Sequence, residues 1–193
     1  MKIVFATNNA HKLSEVKAVL GDGYELVTLK EVGITEDIPE TGDTLDENAS
    51  LKARYVYERT GLDCFADDTG LEVEALGGAP GVRSARYATD GHDFAANNRK
   101  LLKELDGVTN REARFRTVIS LIASGEEIQV EGVVNGVIAL SESGSEGFGY
   151  DPLFIPEGKE VTFAEMSADE KNSISHRGRA VAELVKVLHK VYK

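Results

Sequence analysis

The first half of the chain alternates apolar and polar blocks in a way that predicts strands followed by helices. Residues 2–6 form a short apolar run typical of a buried strand, and apolar side chains then recur at helical spacing over residues 13–20. A second helix is predicted between Thr44 and Gly61, because Thr44 and Glu47 have the spacing of a capping box and glycine commonly ends helices.

The middle of the chain continues this alternation. Residues 62–66 predict a strand, residues 71–76 a second extended piece, and residues 93–105 a helix with an apolar face. The glycine- and proline-rich segment 77–87 predicts a loop.

Two β-rich runs dominate the second half. Residues 113–123 and 128–140 are joined by a short Ser-Gly-Glu turn, which is the pattern of a hairpin. Residues 147–154 predict a loop rich in glycine and aromatic residues, residues 161–166 a short strand, and the residues after Ser175 an amphipathic helix. The whole pattern predicts an α/β fold with a mixed sheet flanked by helices. The length, 193 residues without a repeat or linker, predicts one domain over 1–193 with two tightly joined lobes.

Composition restricts the classes of function. The formal net charge of -11 disfavours binding to long nucleic acids. The single cysteine cannot form an internal disulfide, and no run approaches the roughly 20 apolar residues of a membrane span. The first nine residues also lack the apolar core of a secretion signal. We therefore expect a cytoplasmic protein with no membrane or long nucleic-acid partner, in which a small anionic ligand is offset by a metal ion or a basic cluster.

Two adjacent carboxylates, Asp67 and Asp68, follow the apolar run at 62–66. Successive strand residues point to opposite faces, so both can address one ligand only if Thr69 and Gly70 turn the backbone, as we expect. In one interpretation Asp68 caps this turn and Asp67 is a solvated charge. In the other, one carboxylate holds a hard cation and the other polarises water.

Two further segments carry candidate chemistry for phosphates. Glu47 at a helix start either completes the capping box or, with Asn48 and Lys52, belongs to a metal and phosphate site. The segment TNNAHK, residues 7–12, leads from a strand into a helix, where unpaired amides and Lys12 suit an anion. An ordinary asparagine cap with a solvated lysine is the alternative.

Two later segments suit a nucleobase. Phe148 or Tyr150 offers a ring for stacking and Asp151 an acceptor, unless the aromatic residue only anchors a tight turn. His176 and Arg177 lie in the first turn of the last helix, where the helix dipole disfavours cations, so their position suggests a functional demand.

Together the motifs TNNAHK, ENASLK, ADDTGLEV, GAPGVRSARY, GFGYDPLF and KNSISHR, in this order between residues 7 and 177, resemble the inosine triphosphate pyrophosphatase family. Enzymes of that family cleave the non-standard purine nucleotides ITP, dITP and XTP to the monophosphate and pyrophosphate. Tyr150 stands where many members have tryptophan, and Thr69 where others have serine.

The resemblance implies an elongated mixed sheet with two lobes about a deep cleft, a homodimer, and dependence on Mg2+. It implies that Asp68 is the water-activating base with Lys12 as a second catalytic residue, and that Glu47, Asp67 and Asp68 bind metal. The substrate-binding residues that it implies are Thr7, Asn8, Asn9, Ala10, His11, Lys12, Lys52, Thr69, Phe148, Gly149, Tyr150, Asp151, Lys171, His176 and Arg177.

A donor from His176 or Arg177 aimed at the 6-oxo group would reject adenine, because the donor would face an amino group. We therefore expect Arg177→Ala to lower kcat/KM for ITP by orders of magnitude while leaving the fold intact. Two rival functions stay open: a metal-dependent pyrophosphatase of modified pyrimidine nucleotides, and a non-catalytic nucleotide-binding protein.

Overall fold

The structure is a computed structural model that describes residues 1–193. Its strands are β1 (Lys2–Phe5), β2 (Glu25–Val27), β3 (Cys64–Val73), β4 (Glu112–Ala123), β5 (Glu126–Ile138) and β6 (Phe154–Pro156). Its α-helices are α1 (Ala10–Leu20), α2 (Leu45–Thr60), α3 (Phe94–Glu104), α4 (Ala168–Ile174) and α5 (His176–Val191). No helix combines the length and the apolar composition needed to cross a membrane.

The six strands form one mixed sheet in the order β2-β1-β3-β4-β5-β6. Strand β1 pairs in parallel with β2 and β3, whereas β5 pairs antiparallel with β6. Strands β4 and β5 are joined through Ser124 and Gly125, both at positive φ, which is the backbone of a two-residue hairpin turn. The predicted α/β fold with a mixed sheet is therefore confirmed.

The chain divides into two compact units. Unit 1 comprises residues 1–68, 117–132 and 176–193, and unit 2 comprises residues 69–116 and 133–175. Each unit has its own apolar core.

The core of unit 1 lies on both faces of its strands. Phe65 of β3 packs in the cluster that contains the apolar residues of α1 and α5. The neighbouring residues Cys64 and Ala66 pack instead with α2, in the cluster that contains Ala53 and Val56. This alternation follows from the two-residue period of a strand, and it fixes the face to which each following residue of β3 points.

Aromatic side chains dominate the core of unit 2. The rings of Phe115 and Phe154 meet edge to face with centroids 4.7 Å apart, and Phe163 lies 5.3 Å from Phe154. The strand predicted for residues 161–166 is wrong, because Phe163–Glu165 is a 3-10 helix. Thr162 and Glu165 form a capping box there, so local capping and the burial of Phe163 outweigh the β-propensity of the segment.

Candidate active site

The turn predicted after Asp68 is absent, since β3 continues as a strand through Thr69 and Gly70 to Val73. Asp67 and Asp68 therefore point to opposite faces of the sheet. Asp67 lies on the face covered by α1 and α5, and Asp68 on the face covered by α2. The two carboxylates therefore have different hydrogen-bond partners, although the charges of Lys12 and Lys52 act on both.

Asp67 is an ionised carboxylate held between cations of unit 1. Its side chain is 1% exposed, with the Lys12 ammonium at 3.3 Å and Nε of Arg177 at 3.5 Å. Burial opposes ionisation, but Lys12, Arg177 and Lys52 outweigh it and lower the pKa of Asp67 to about 2. Burial also lowers the pKa of Lys12, against the attraction of Asp67. Asp67 thus holds Lys12 and Arg177 through ion pairs, and its predicted metal contact stays a prediction.

Asp68 is the carboxylate of the pair with the higher pKa. It is 5% exposed, and Oδ2 accepts a 3.0 Å hydrogen bond from the Asn48 amide. Burial raises the pKa of Asp68 to about 6, against the cations Lys52 and Lys12, and the negative charge of Glu40 adds to the rise. A carboxylate with this pKa is ionised at neutral pH and can still accept a proton readily, as a general base requires.

Glu40 is a functional candidate that the sequence analysis missed. Nζ of the buried Lys52 donates a 3.0 Å hydrogen bond to Glu40 Oε1 and a second one to the backbone oxygen of Asp67. Burial alone would lower the pKa of Lys52, but Glu40, Asp67 and Asp68 raise it. Glu40 lies in an irregular segment without helix or strand, so no hydrophobic periodicity or capping pattern in the sequence indicates where its carboxylate will lie.

Glu47 lies in the first turn of α2, next to Asn48, which donates a hydrogen bond to Asp68. The Glu47 amide donates to Thr44 Oγ1 at 3.1 Å, and Glu47 Oε2 accepts from the amide of Asp43 at 2.7 Å. Glu47 is exposed at the start of α2, where these hydrogen bonds help to order the helix start. Its predicted metal contact stays a prediction.

The segment 7–12 enters α1 as predicted, but its amides are partly occupied. Asn9 is the N-cap, and its Oδ1 accepts hydrogen bonds from the amides of His11 and Lys12 at 3.0 and 3.1 Å. Thr7 Oγ1 accepts from the Asn9 amide. These amides are not unpaired, so the ammonium of Lys12 is the main group of this segment that could bind an anion, and phosphate binding here stays a prediction.

The neighbours of this segment also differ in exposure. Asn8, Ala10 and His11 are exposed, and the Asn8 amide donates to Asp37 at 3.2 Å. They are accessible to a ligand, and their substrate-binding role stays a prediction.

The glycine and aromatic loop lies in unit 2 and is closed by Asp151. Oδ2 of Asp151 accepts from the amide of Phe148 at 3.0 Å and from Nζ of the buried Lys171 at 2.6 Å. The same ammonium lies 4.9 Å from the centroid of the Phe148 ring. An Asp151 oxygen that was predicted to face a base edge thus helps to shape the loop.

The two aromatic side chains of this loop have different environments. Tyr150 is 5% exposed, packs in the core of unit 2, and donates a 2.7 Å hydrogen bond to the Ser84 carbonyl. Burial raises the pKa of its phenol. Phe148 is half-buried, so it is the better candidate for stacking on a base.

His176 and Arg177 begin α5 in unit 1, and both side chains are buried. Arg177 forms ion pairs with Glu15 and Asp67. Glu15 is a second partner that the sequence analysis missed, although it lies three residues after Lys12 on the same helix face. Recognition of the base by His176 and Arg177 stays a prediction, as does a substrate contact by Thr69, which is half-buried on β3.

The donor set fits a hard divalent cation that is bound only in part by protein. No group of three or more His, Cys, Asp or Glu side chains is arranged to hold a metal ion. Mg2+, however, is commonly bound through one or two carboxylates together with phosphate oxygens and water. Asp68 and Glu40 are two such carboxylates that are close enough to interact, although Glu40 is paired with Lys52 as Asp67 is with Lys12 and Arg177.

Comparisons with known proteins agree with the motifs. A dITP/XTP pyrophosphatase of Porphyromonas gingivalis is 57% identical over 184 residues, which cover 95% of this chain and 95% of that protein. The solved Ham1 protein of Staphylococcus aureus is 39% identical with a TM-score of 0.90, over 98% of this chain and 99% of that one. A solved nucleoside-triphosphatase / dITP/XTP pyrophosphatase of Mycobacterium abscessus is 46% identical with a TM-score of 0.78, over 95% and 98%. The model of the Ham1 family matches residues 3–187, so the chain belongs to the Ham1 family.

Proposed function

We propose that this protein is a nucleoside triphosphate pyrophosphohydrolase that cleaves ITP, dITP and XTP to the monophosphate and pyrophosphate. The observation that carries the proposal is the Asp68 carboxylate, which is buried, has a raised pKa and lies near the cations Lys12 and Lys52. Relatives that align over nearly the full chain are named dITP/XTP pyrophosphatases, which supports the same substrate class.

The residues of unit 1 act on the polyphosphate. Lys12 and Lys52 offset the negative charge of the phosphates, and Asp67 keeps Lys12 in place. Asp68 accepts a proton from the attacking water as the water oxygen bonds to phosphorus. The anhydride bond between the α- and β-phosphates breaks in the same displacement, and pyrophosphate leaves with the electron pair.

Glu40 and Asp68 are the residues that would hold Mg2+. The chemistry supplied by the ion when bound is neutralisation of phosphate oxygens and orientation of water. Asp68 can combine a metal contact with proton transfer, because a carboxylate has two oxygens.

Other residues are proposed to act on the base. Phe148 offers its half-buried ring, and Asp151 and Lys171 fix the backbone of the loop that carries it. We retain His176 and Arg177 as the predicted donors to the 6-oxo group.

The test is a pyrophosphate-release assay with ITP, dITP and XTP against ATP, GTP and modified pyrimidine triphosphates. We expect fast, Mg2+-dependent release from the non-standard purine nucleotides only. Preferred turnover of a modified pyrimidine nucleotide would support the first rival function. Asp68→Asn is expected to bind ITP as well as the wild type does but to lose hydrolysis, and this loss would exclude a purely binding protein. Absence of metal-dependent hydrolysis in the wild type would support the binding protein instead.

Two glutamates provide a matched test of the metal site. We expect Glu40→Gln to raise the Mg2+ concentration needed for half-maximal hydrolysis at least about tenfold, because it removes one of two carboxylate ligands. Glu47→Gln should retain near-normal hydrolysis, since Glu47 caps α2. The reverse result would restore Glu47 as the metal ligand.

We further propose that the enzyme acts as a homodimer on the cytoplasmic nucleotide pool. Both statements follow from the family resemblance, and the single cysteine and the acidic composition are compatible with them. Light scattering of the purified protein gives the oligomeric state directly, and a monomeric mass would exclude the dimer.

A further inference from the structure

Helix α3 carries two adjacent buried asparagines that no part of the proposed mechanism uses. Asn97 is 2% exposed and Asn98 is 3% exposed. Asparagine is a poor helix former, and a buried amide is unfavourable unless its hydrogen bonds are made. A reason beyond helix formation is therefore needed for each of them.

Asn97 is fully explained by the protein. Its Oδ1 accepts from the amide of Ala88 at 2.8 Å, and its Nδ2 donates to the carbonyls of Ala85 at 3.1 Å and Ser84 at 3.4 Å. Every hydrogen-bonding atom of this side chain has a protein partner, so Asn97 stabilises the segment around residues 84–88.

Asn98 differs, because only half of its amide is used. Nδ2 donates a 3.0 Å hydrogen bond to the carbonyl of Gly149, whereas the buried Oδ1 has no hydrogen-bond partner. An unsatisfied buried carbonyl destabilises the folded state, and an apolar side chain of similar size would avoid that cost. Stability alone therefore does not explain Asn98, and its one side-chain hydrogen bond is to the glycine and aromatic loop, residues 147–154.

The hydrogen bond from Asn98 fixes the Gly149 carbonyl, which accepts no hydrogen bond from the amides of the loop itself. The carbonyls of Phe148 and Tyr150 accept hydrogen bonds from the amides of Asp151 and Leu153 within the same segment. The carbonyl of Gly149, at φ +62°, is directed instead to Asn98. One helical turn earlier, the ring of Phe94 lies 6.1 Å from that of Phe148, so positions 94 and 98 of α3 address the same loop.

We propose that Asn98 is a positioning residue for base recognition, which fixes the Gly149 peptide and thereby the ring of Phe148. This inference rests on the proposed function, since it assigns a role in binding the purine of that substrate. It requires no contact between Asn98 and the reacting phosphates.

The test compares Asn98→Leu and Asn98→Ala with the matched control Asn97→Leu. For both Asn98 variants we expect KM for ITP to rise about 3- to 10-fold, the effect of one neutral hydrogen bond, with kcat within about twofold. The inhibition constant of inorganic tripolyphosphate, which has no base, should stay unchanged. Amide hydrogen exchange over residues 147–151 should accelerate in both variants.

Stability separates positioning from a merely structural role. Asn98→Leu should keep its Tm within about 2 °C, because removal of the unsatisfied Oδ1 offsets the loss of the donor to the half-buried Gly149 carbonyl. Asn97→Leu should lose Tm, because it leaves the Ala88 amide and the Ala85 carbonyl without their partner. If Asn98→Leu does not fold, the smaller Asn98→Ala variant carries the kinetic and exchange measurements.

Several results would overturn the inference while leaving the proposed function intact. Unchanged KM and unchanged exchange in both Asn98 variants would exclude positioning. Parallel rises in KM for ITP and in the inhibition constant of tripolyphosphate, with a loss of Tm, would assign Asn98 a general structural role. Absence of ITP hydrolysis by the wild type would instead reject the proposed function, and the exchange measurement would still decide whether Asn98 holds the loop.

Discussion

Two neighbouring aspartates of β3 have pKa values shifted in opposite directions, although they share a backbone and nearly equal burial. Burial is the largest influence on both. For Asp67 it is outweighed by Lys12 and Arg177, whereas for Asp68 the nearby cations do not outweigh it and Glu40 adds to it. The face of the strand thus decides which of them is a fixed anion and which can act as a base.

This difference predicts opposite stability effects of substitution in the metal-free protein. The pKa of Asp68 is raised from 3.8 to about 6, so its contribution to stability is present below about pH 4 and is lost as pH rises through about 6. Asp68→Asn avoids this loss, and we expect it to stabilise the metal-free protein at pH 8 by up to about 3 kcal/mol, with a smaller gain at pH 5. Urea unfolding in chelator measures this.

The matched control is Asp67→Asn. The pKa of Asp67 is lowered to about 2, so its stabilising contribution is present above about pH 4 and is lost as pH falls through about 2. Asp67→Asn should therefore destabilise the protein at pH 8. The same sign of change in both variants would contradict the assignment of the two environments.

Arg177 is expected to be important for folding as well as for substrate. It is 2% exposed, and its removal takes one cation from the buried Asp67, which keeps Lys12, and breaks the ion pair with the partly buried Glu15. We predict that Arg177→Ala lowers the free energy of unfolding by about 3–5 kcal/mol, unlike the intact fold expected from sequence. Arg54→Ala, which breaks an exposed ion pair with Glu127, should cost about 1 kcal/mol or less. Equal losses in the two variants would argue against a buried network.

Among the elements, the start of α5 depends on a close approach to β5. A Cβ on Gly132 would lie 2.1 Å from the carbonyl oxygen of His176 and 2.4 Å from the amide nitrogen of Ala180. Both are backbone atoms, so the helix would have to move. Only glycine allows α5 to place His176 and Arg177 where the structure has them.

We therefore predict that Gly132→Ala displaces the beginning of α5, destabilises the protein by about 1–3 kcal/mol or more, and lowers kcat/KM for ITP. Thermal unfolding and steady-state kinetics are the measurements. Gly23→Ala is the control, because a Cβ there meets no atom within 4 Å. A Gly132→Ala protein with normal stability and activity would show that α5 tolerates the shift.

The elements with strong local signals were predictable from sequence. Helix α2 begins after Thr44 and ends before Gly61, as its cap residues indicate, and the β4–β5 hairpin has its turn at the predicted place. The three-residue strands β2 and β6 were not predicted, because segments that short have no readable period. The error at residues 161–166 has another cause, since a capping box and core packing outweigh β-propensity there.

At the scale of the whole molecule, a chain with a net charge of -11 concentrates Lys12, Lys52 and Arg177 in the interior of unit 1. The acidic residues paired with them keep this cluster nearly neutral without a ligand. A polyphosphate therefore needs additional positive charge, which a divalent cation supplies.

This predicts a coupled effect of metal and polyphosphate on stability. Tripolyphosphate at about 100 times its Kd should raise the Tm by about 5–10 °C when Mg2+ is present, and by much less in chelator. Differential scanning fluorimetry measures both. An equal rise in chelator would show that the buried cations bind the phosphates without metal.

The sequence by itself determined the α/β class, the main helices, the hairpin and the family, because caps, turn residues and ordered motifs are local signals. The tertiary structure alone decided that Asp67 and Asp68 face apart, that Glu40 and not Glu47 joins Lys52, and that Tyr150 is a core residue. These outcomes depend on which face of a strand a neighbouring helix covers and on where an irregular segment folds back. Both features depend on contacts between residues that are distant in the sequence, and such contacts cannot be predicted from a local sequence pattern.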